Sequence, residues 1–169
     1  MDREQLRAVQ TPLKERYRAE PEQAFVTLSA TGSLGEGVSC SVQTGRALAA
    51  AAGLHPASGG DGSLLCSGDM LLEALVACAG VTLRAVAISL GIKIVSGAVR
   101  AEGELDFRGT LGVDRDAPVG FRAIRLSFDL DTDADDEQLS TLLRLTERYC
   151  VVFQTLNTRP ELSAEIARG

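Results

Sequence analysis

The stretch GGDGSLLCSGDMLLEALVACAG, from Gly59 to Gly80, decides the fold class of this chain. Its first half is rich in glycine and serine, which is typical of a loop. Its second half begins an apolar helix that we predict from about Gly68 to Leu90, with Gly91 as its stop. Apolar residues cover nearly the whole circumference of this helix, so we expect burial on all sides. A chain of 169 residues struggles to surround such a helix alone, and we therefore expect a homodimer.

Composition and charge argue against several classes of partner. The net charge of −6 disfavours binding to a phosphate backbone, and 4% aromatic residues without any Trp disfavour a stacking platform for single-stranded nucleic acid. No uncharged apolar stretch of ~20 residues is evident, so we expect no membrane span. The charged start MDREQLRAVQ does not resemble a signal peptide. These features predict a cytoplasmic protein with neither a nucleic-acid nor a membrane partner.

The remaining patterns predict an α+β fold, because hairpin-linked strands are grouped between helices. We expect an N-terminal helical extension over residues 1–22, interrupted by Pro12, and a single domain over residues 23–169. Residues 53–67 are predicted to form a loop. The other predicted elements are strands over 24–34, 38–43, 92–107 and 121–133, a second long helix from 133–139 through Cys150, and a final strand over 161–166.

The four cysteines are the candidates for chemistry. Cys40 alternates onto the core side of its strand and is interpreted as inert. No CxxC pair occurs and His55 is the only histidine, so neither a usual zinc site nor a Cys–His nucleophile is supported. Redox chemistry fits better, because a sulfenic acid formed on one thiol can condense with a second thiol. Packing of the two long helices would bring Cys78 and Cys150 together; the alternative is that both are small buried hydrophobes.

Four segments carry a resemblance to a known family: GDMLLEALVACAGVTLRAVAISLGI, VRAEGELDFRGTLGV, GFRAIRLSFDL and LLRLTERYCVVFQTLN. Over about residues 24–168 the chain resembles the OsmC/Ohr family of thiol peroxidases. The resemblance implies an intertwined homodimer with antiparallel strands around two central helices. It also implies that Cys78 attacks organic hydroperoxides, that Cys150 resolves the intermediate, and that a dithiol such as a dihydrolipoyl group restores the thiols. No cofactor or metal is implied.

The chain departs from the family pattern at three places. Val151 replaces the proline that follows the second cysteine, so the helix can continue through Cys150. Gly68 stands where the family has a glutamate, and Asp69 is the nearest acid. For the arginine that polarises the attacking thiolate we select Arg46, with a solvated loop residue as the alternative reading.

Two further alternatives stay open at the level of sequence. Cys66 lies in the glycine-rich loop and is either a second partner for Cys78 or a tolerated loop residue. For function, the alternative to a peroxidase is a non-catalytic protein of the same fold that binds a small apolar or acyl ligand at the dimer interface. A third possibility is a stress-associated structural dimer.

Overall fold

The computed structural model of the protein describes residues 2–28, 30–34, 39–44 and 48–168. The chain divides into two compact units: the first holds Met1–Glu73 and Arg100–Phe128, the second Ala74–Val99 and Asp129–Gly169. The elements are α1 (Arg3–Ala19), β1 (Gly32–Leu34), β2 (Ser39–Thr44), β3 (Leu48–Gly53), β4 (Leu65–Cys66), α2 (Ser67–Leu90), β5 (Ile94–Glu104), α3 (Phe107–Thr110), β6 (Ala123–Thr132), α4 (Asp136–Tyr149) and α5 (Val151–Asn157). The predicted α+β class is confirmed.

A four-stranded sheet in the first unit has the order β1-β2-β3-β4. Strands β1 to β3 are antiparallel, and β4 pairs with β3 in parallel through Ala52–Leu65 and Gly53–Cys66. The prediction of a strand over 24–34 is wrong for most of that range, since a strand persists only where a neighbour satisfies its backbone. Among the described residues of this range only Gly32–Leu34 pairs with β2, and the apolar side chains before it are exposed: Phe25, Val26 and Leu28.

The second sheet consists of β5 and β6, and both strands were predicted. They are antiparallel, because the Arg122 N–H donates to the Glu104 carbonyl at one end while the Thr132 hydroxyl donates to the Lys93 carbonyl at the other. Side chains of β6 alternate between half-buried and exposed over its whole length, as expected for a strand with one covered face.

Helix α1 is a single helix that contains Pro12, where we had predicted an interruption. Asp2 caps its first turn and Gln5 reciprocates, which satisfies donors that a helix start leaves free. None of its residues is buried, so the proline ring does not have to fit against a core. The helix therefore tolerates Pro12 at the loss of one backbone donor.

Helix α2 matches its prediction closely. It ends at Gly91, whose φ of 78° is in the left-handed region, and the Ile92 N–H donates to the Ala87 carbonyl in the pattern of a Schellman stop. By length and composition alone α2 could cross a membrane, contrary to our expectation, although the core helix of a soluble protein meets the same criteria. One face of α2 supplies most of the buried core of the second unit: Leu75, Ala79, Leu83, Val86 and Ala87.

Helix α4 begins at a reciprocal cap between Asp135 and Gln138, as its acidic first turn predicted. The prediction that this helix runs through Cys150 is wrong. The backbone of Cys150 is extended, with φ −75° and ψ 109°, and it both ends α4 and caps α5. The predicted final strand is also wrong, because residues 158–168 form no regular structure. Its apolar side chains, Leu162 and Ile166, are exposed.

Candidate redox site

The second unit places Cys78 and Cys150 close enough for each thiol to shift the pKa of the other. Cys78 lies midway along α2 and is partly exposed, whereas Cys150 lies at the junction of α4 and α5 and is completely buried. Both are free thiols. Cys78 is therefore the more accessible residue of the two from solvent, and Cys150 is closed to it.

The break at Cys150 sets the geometry of this pair. The Cys150 N–H still donates to the Thr146 carbonyl, and the Cys150 carbonyl still accepts from the Gln154 N–H, each at 2.9 Å. Between these two bonds the extended residue interrupts the regular helix pattern. Within the described part of the chain, no backbone bond joins the N–H groups of residues 151–153 to the preceding turn, and such groups need other acceptors.

Two of these freed N–H groups, those of Val151 and Val152, act on the pKa of Cys78. Burial raises the pKa of Cys78. Four hydrogen-bonding groups lower it by more than burial raises it, so the net shift is downward: the backbone of Val152, the thiol of Cys150, the backbone of Val151 and the hydroxyl of Thr82. Each of these groups stabilises the thiolate over the thiol. No charged side chain in the described residues contributes to this shift.

The Cys150 thiol has the opposite environment. Burial raises its pKa; hydrogen bonds from the backbone of Phe153 and Val152 oppose the rise, and the neighbouring Cys78 sulfur adds to it. At neutral pH Cys150 therefore stays protonated. Ionisation is easier at Cys78, the more exposed of the two thiols, than at Cys150.

Asp69 and Cys66 lie elsewhere, in a cavity of about 510 Å³ within the first unit. The His55 ring stacks on Phe107 with centroids 5.0 Å apart and forms part of its wall. A β-carbon added to Gly68 would lie 3.5 Å from Cys66 and Phe121, an ordinary contact. Glycine at this position is therefore not a steric requirement of the backbone. The remaining lining residues include Leu72, Glu104, Leu105 and Arg122.

The other sequence-predicted residues have varied outcomes. Arg46 lies outside the described residues, so its role stays a prediction. Arg84, one turn and a half beyond Cys78 on α2, donates to the Ile94 carbonyl at 2.8 Å. Cys40 lies on β2, half-buried, opposite Ala52 and Leu34.

Sequence reasoning missed the backbone donors of Val151 and Val152 and the side chain of Gln154. Gln154 Nε2 donates to the Glu147 carbonyl at 2.8 Å, across the break. Because valine has no conformational preference that ends a helix, nothing at residues 150–151 signals the interruption. The buried face of α4, formed by Leu142, Thr146 and Cys150, was the available clue to the position of the thiol.

Comparison with known proteins gives the family. A family model described as OsmC-like protein matches residues 60–165, and no curated protein matches the sequence. The fold is similar to an OsmC-like protein from Mycoplasma pneumoniae, 17% identical over 79% of this chain and 89% of that chain, with a TM-score of 0.67. It is also similar to an OsmC-like protein of unknown function from Vibrio cholerae, 12% identical over 79% and 96%, with a TM-score of 0.64.

A third similar structure is OhrB of Bacillus subtilis, an organic hydroperoxide resistance protein. It is 19% identical over 80% of this chain and 94% of that chain, with a TM-score of 0.55. These structural likenesses agree in the fold, and the family model extends over more than half of the sequence. The protein belongs to the OsmC-like family.

Proposed function

We propose that this protein is a cysteine-based peroxidase that reduces organic hydroperoxides, with Cys78 as the attacking thiolate and Cys150 as the resolving thiol. One observation carries the proposal. A partly exposed sulfur, whose pKa is lowered on balance by hydrogen bonds from Val152, Cys150, Val151 and Thr82, lies against a second thiol that is completely buried. The B. subtilis protein of similar fold is named for resistance to organic hydroperoxides.

The first step consumes the peroxide. The Cys78 thiolate attacks the terminal oxygen of ROOH, the O–O bond breaks, and the electron pair leaves with RO⁻, which takes a proton to become an alcohol. Cys78 becomes a sulfenic acid, having lost two electrons to the peroxide. Solvent supplies the proton that the alkoxide takes, because Cys78 is partly exposed, and the Cys150 S–H keeps its proton for the second step.

The second step forms the disulfide. The sulfur of Cys150 attacks that of Cys78, the S–O bond breaks, and the oxygen leaves as water with the Cys150 proton and one from the sulfenic acid. Burial of Cys150 protects it from direct oxidation while Cys78 remains accessible. An external dithiol, which we propose to be of the lipoyl type, then returns both cysteines to thiols by exchange.

The test is stoichiometric oxidation of the reduced protein with cumene hydroperoxide. We expect one cumyl alcohol and two thiols lost per peroxide consumed, with mass spectrometry locating the crosslink at Cys78–Cys150. A crosslink at Cys66–Cys78 would reassign the resolving residue. Unchanged thiols with unconsumed peroxide would contradict the peroxidase.

We further propose that the working form is a cytoplasmic homodimer. Around the apolar helix α2 the described chain leaves Ala77 and Val81 exposed, Val81 by 73%, and exposed apolar surface of this kind is typical of an interface. The tail residues Leu162 and Ile166 are likewise uncovered. Sedimentation at micromolar concentration is expected to give twice the chain mass of 17.8 kDa; a monomer would contradict this proposal.

A second candidate function is binding of a small apolar or acyl ligand without turnover. The cavity of the first unit favours it, since its volume of about 510 Å³ is in the range of ligand pockets and its walls combine aromatic rings with the Arg122 cation. Native mass spectrometry of the purified protein distinguishes the two candidates. A retained ligand together with unreactive thiols supports binding, whereas rapid thiol loss on peroxide addition supports the enzyme.

A further inference from the structure

The cavity of the first unit is built around one aromatic ring. The Phe121 ring lies so close to β5 that a β-carbon added to Gly103 would overlap it, so the ring can occupy this position only next to glycine. A β-carbon added to Gly68, at the start of α2, would lie 3.5 Å from Phe121 and 3.7 Å from Leu105. Because residue 68 carries no side chain, the space between these groups stays open. The resulting volume of about 510 Å³ is in the range of pockets that hold small molecules.

The imidazole of His55 is a second fixed group of the cavity wall. Its ring stacks on Phe107 with centroids 5.0 Å apart, and its Nδ1 accepts from the Ala57 N–H at 3.0 Å. An imidazole that accepts at Nδ1 carries its proton at Nε2. This Nε2 makes no hydrogen bond with any described residue, so it is left as a donor for a ligand.

Two charged side chains of the cavity wall are not engaged within the described part of the chain. Neither the Arg122 guanidinium nor the Asp69 carboxylate makes a hydrogen bond or an ion pair with a described residue, and they do not pair with each other. The nearby Asp106 does not occupy Arg122. Its pKa is lowered mainly by Arg108, with which it forms an ion pair, and only weakly by the charge of Arg122.

These charges decide which ligands suit the cavity. Glu104 is already compensated, since its Oε1 accepts from Arg125 Nη1 at 2.8 Å, which leaves Arg122 and Asp69. A wholly apolar ligand would displace water from both charges without replacing its hydrogen bonds. A ligand with a carboxylate alone would meet the Asp69 charge, and one with an amine alone would meet the Arg122 charge. A ligand with both groups has a partner for each.

We propose that this cavity binds a zwitterion with an apolar body, such as an α-amino acid with an aromatic or aliphatic side chain. The Arg122 guanidinium takes the carboxylate, which it can hold through two parallel N–H donors. Asp69 takes the ammonium group, and the rings of Phe107 and Phe121 line the space for the apolar body. The inference rests on the second candidate function only in placing a ligand in this cavity, and it is independent of the peroxidase.

The experiment compares three probes that share a phenyl group and differ in charge: L-phenylalanine, 3-phenylpropionate and phenethylamine. Isothermal titration calorimetry of the reduced full-length protein at pH 7 gives the Kd of each. We expect phenylalanine to bind on the order of tenfold more tightly than either singly charged probe, the effect of one hydrogen bond to a charged group. Equal affinity for 3-phenylpropionate would overturn the inference and leave the acyl ligand of the second candidate function in place. No saturable binding of phenylalanine up to ~10 mM would overturn it as well.

The thiol of Cys66 reports where the probe binds. It lines the same cavity and is half-buried, so bound phenylalanine should slow its alkylation by iodoacetamide in proportion to occupancy. Tandem mass spectrometry follows Cys66 and Cys78 in the same sample, and Cys78, in the second unit, is the internal control. Protection of Cys78 without protection of Cys66 would place the ligand elsewhere and overturn the inference.

Arg122→Gln and Asp69→Asn test the two charges separately. Both side chains are exposed and make no hydrogen bond or ion pair with a described residue, so we expect unchanged melting temperatures. Arg122→Gln should weaken phenylalanine binding on the order of tenfold and leave phenethylamine unaffected, whereas Asp69→Asn should weaken phenylalanine and leave 3-phenylpropionate unaffected. The controls are Arg100→Gln on β5 and Glu73→Gln on α2, exposed charges of the same unit that do not line the cavity. An equal loss of phenylalanine binding in the controls, or no loss in either test variant, would overturn the inference.

Discussion

Two thiols of this chain lie in contrasting surroundings. Cys66, in the first unit, lines a cavity with His55, Asp69 and Arg122, groups usually taken as signs of a reactive cysteine. Cys78, in the second unit, has no charged side chain acting on it in the described residues. Its pKa is lowered on balance by backbone N–H groups, a second thiol and a hydroxyl group, each of which favours the thiolate. The comparison teaches that nearby charged groups and a second thiol are separate features, and that only Cys78 has a second thiol acting on it among the described residues.

The largest effect is expected from Cys78→Ser. A serine hydroxyl is hardly ionised near neutral pH, so both peroxide reduction and disulfide formation should be abolished. The measurement is peroxide consumption in the presence of a dithiol. The matched change Cys66→Ser should leave the rate within about twofold, and an equal loss there would show that the cavity thiol belongs to the redox pair.

Cys150→Ser is expected to separate the first turnover from the cycle. Cys78 can still attack one peroxide, but its sulfenic acid has no resolving partner and proceeds to sulfinic acid with excess peroxide. A dimedone adduct on Cys78, seen by mass spectrometry after one equivalent of peroxide, checks this. If the dimedone adduct accumulates in Cys66→Ser and not in Cys150→Ser, Cys66 is the resolving thiol.

The comparison also shows what the sequence could and could not predict. Helix α2 was predicted from its long apolar run, its stop from Gly91, and strands β5 and β6 from β-type sequence patterns, which in β6 alternate cleanly. The strand β3, with four alanines over Leu48–Gly53, gives no such signal and is a strand because β2 pairs with it along its whole length. Strand formation there depends on a neighbour and not on side-chain propensity.

For the candidate site, the proximity of the two thiols was predictable and the environment of Cys78 was not. The resemblance pointed to Cys78 and Cys150, and the structure brings them together. The backbone N–H groups of Val151 and Val152 are free to act on Cys78 because the helix breaks at Cys150, although Val151 is compatible with an unbroken helix. The side chain of Gln154 bridges this break by donating to the Glu147 carbonyl. Such a bridge leaves no recognisable pattern in the sequence at Cys150 itself.

Arg46→Ala tests whether a cation adds to the backbone donors. If Arg46 acts on Cys78, peroxide reduction should slow on the order of tenfold, the effect of one unit of thiol pKa. Arg84→Ala is the control variant, because it also removes an arginine, but one that donates to the Ile94 carbonyl. Equal rates for the two variants would mean that the described donors suffice without Arg46.

The pH dependence of alkylation should separate the coupled thiols. Since the pKa of Cys78 is lowered, Cys78 should reach half its maximal rate below the pH typical of a free thiol, because thiolate is the reacting species. Cys150, whose pKa is raised and whose side chain is buried, should stay unmodified in the native protein. Unfolding in urea should make both thiols react with one common profile, and equal reactivity of the two in the native protein would contradict the asymmetry.

Val151→Pro is expected to have the smallest effect of these variants, both on stability and on the reactivity of Cys78. The extended backbone of Cys150 is already the conformation that a following proline demands, and Val151 is the first residue of α5, where proline is favoured. The fold should therefore change in stability by less than ~1 kcal/mol. The variant also removes the Val151 N–H, so the Cys78 profile should move slightly toward higher pH while Val152, Cys150 and Thr82 continue to donate. Thermal melting and the alkylation profile together check this, and a large loss of stability would mean that the break at Cys150 is not fixed in the native chain.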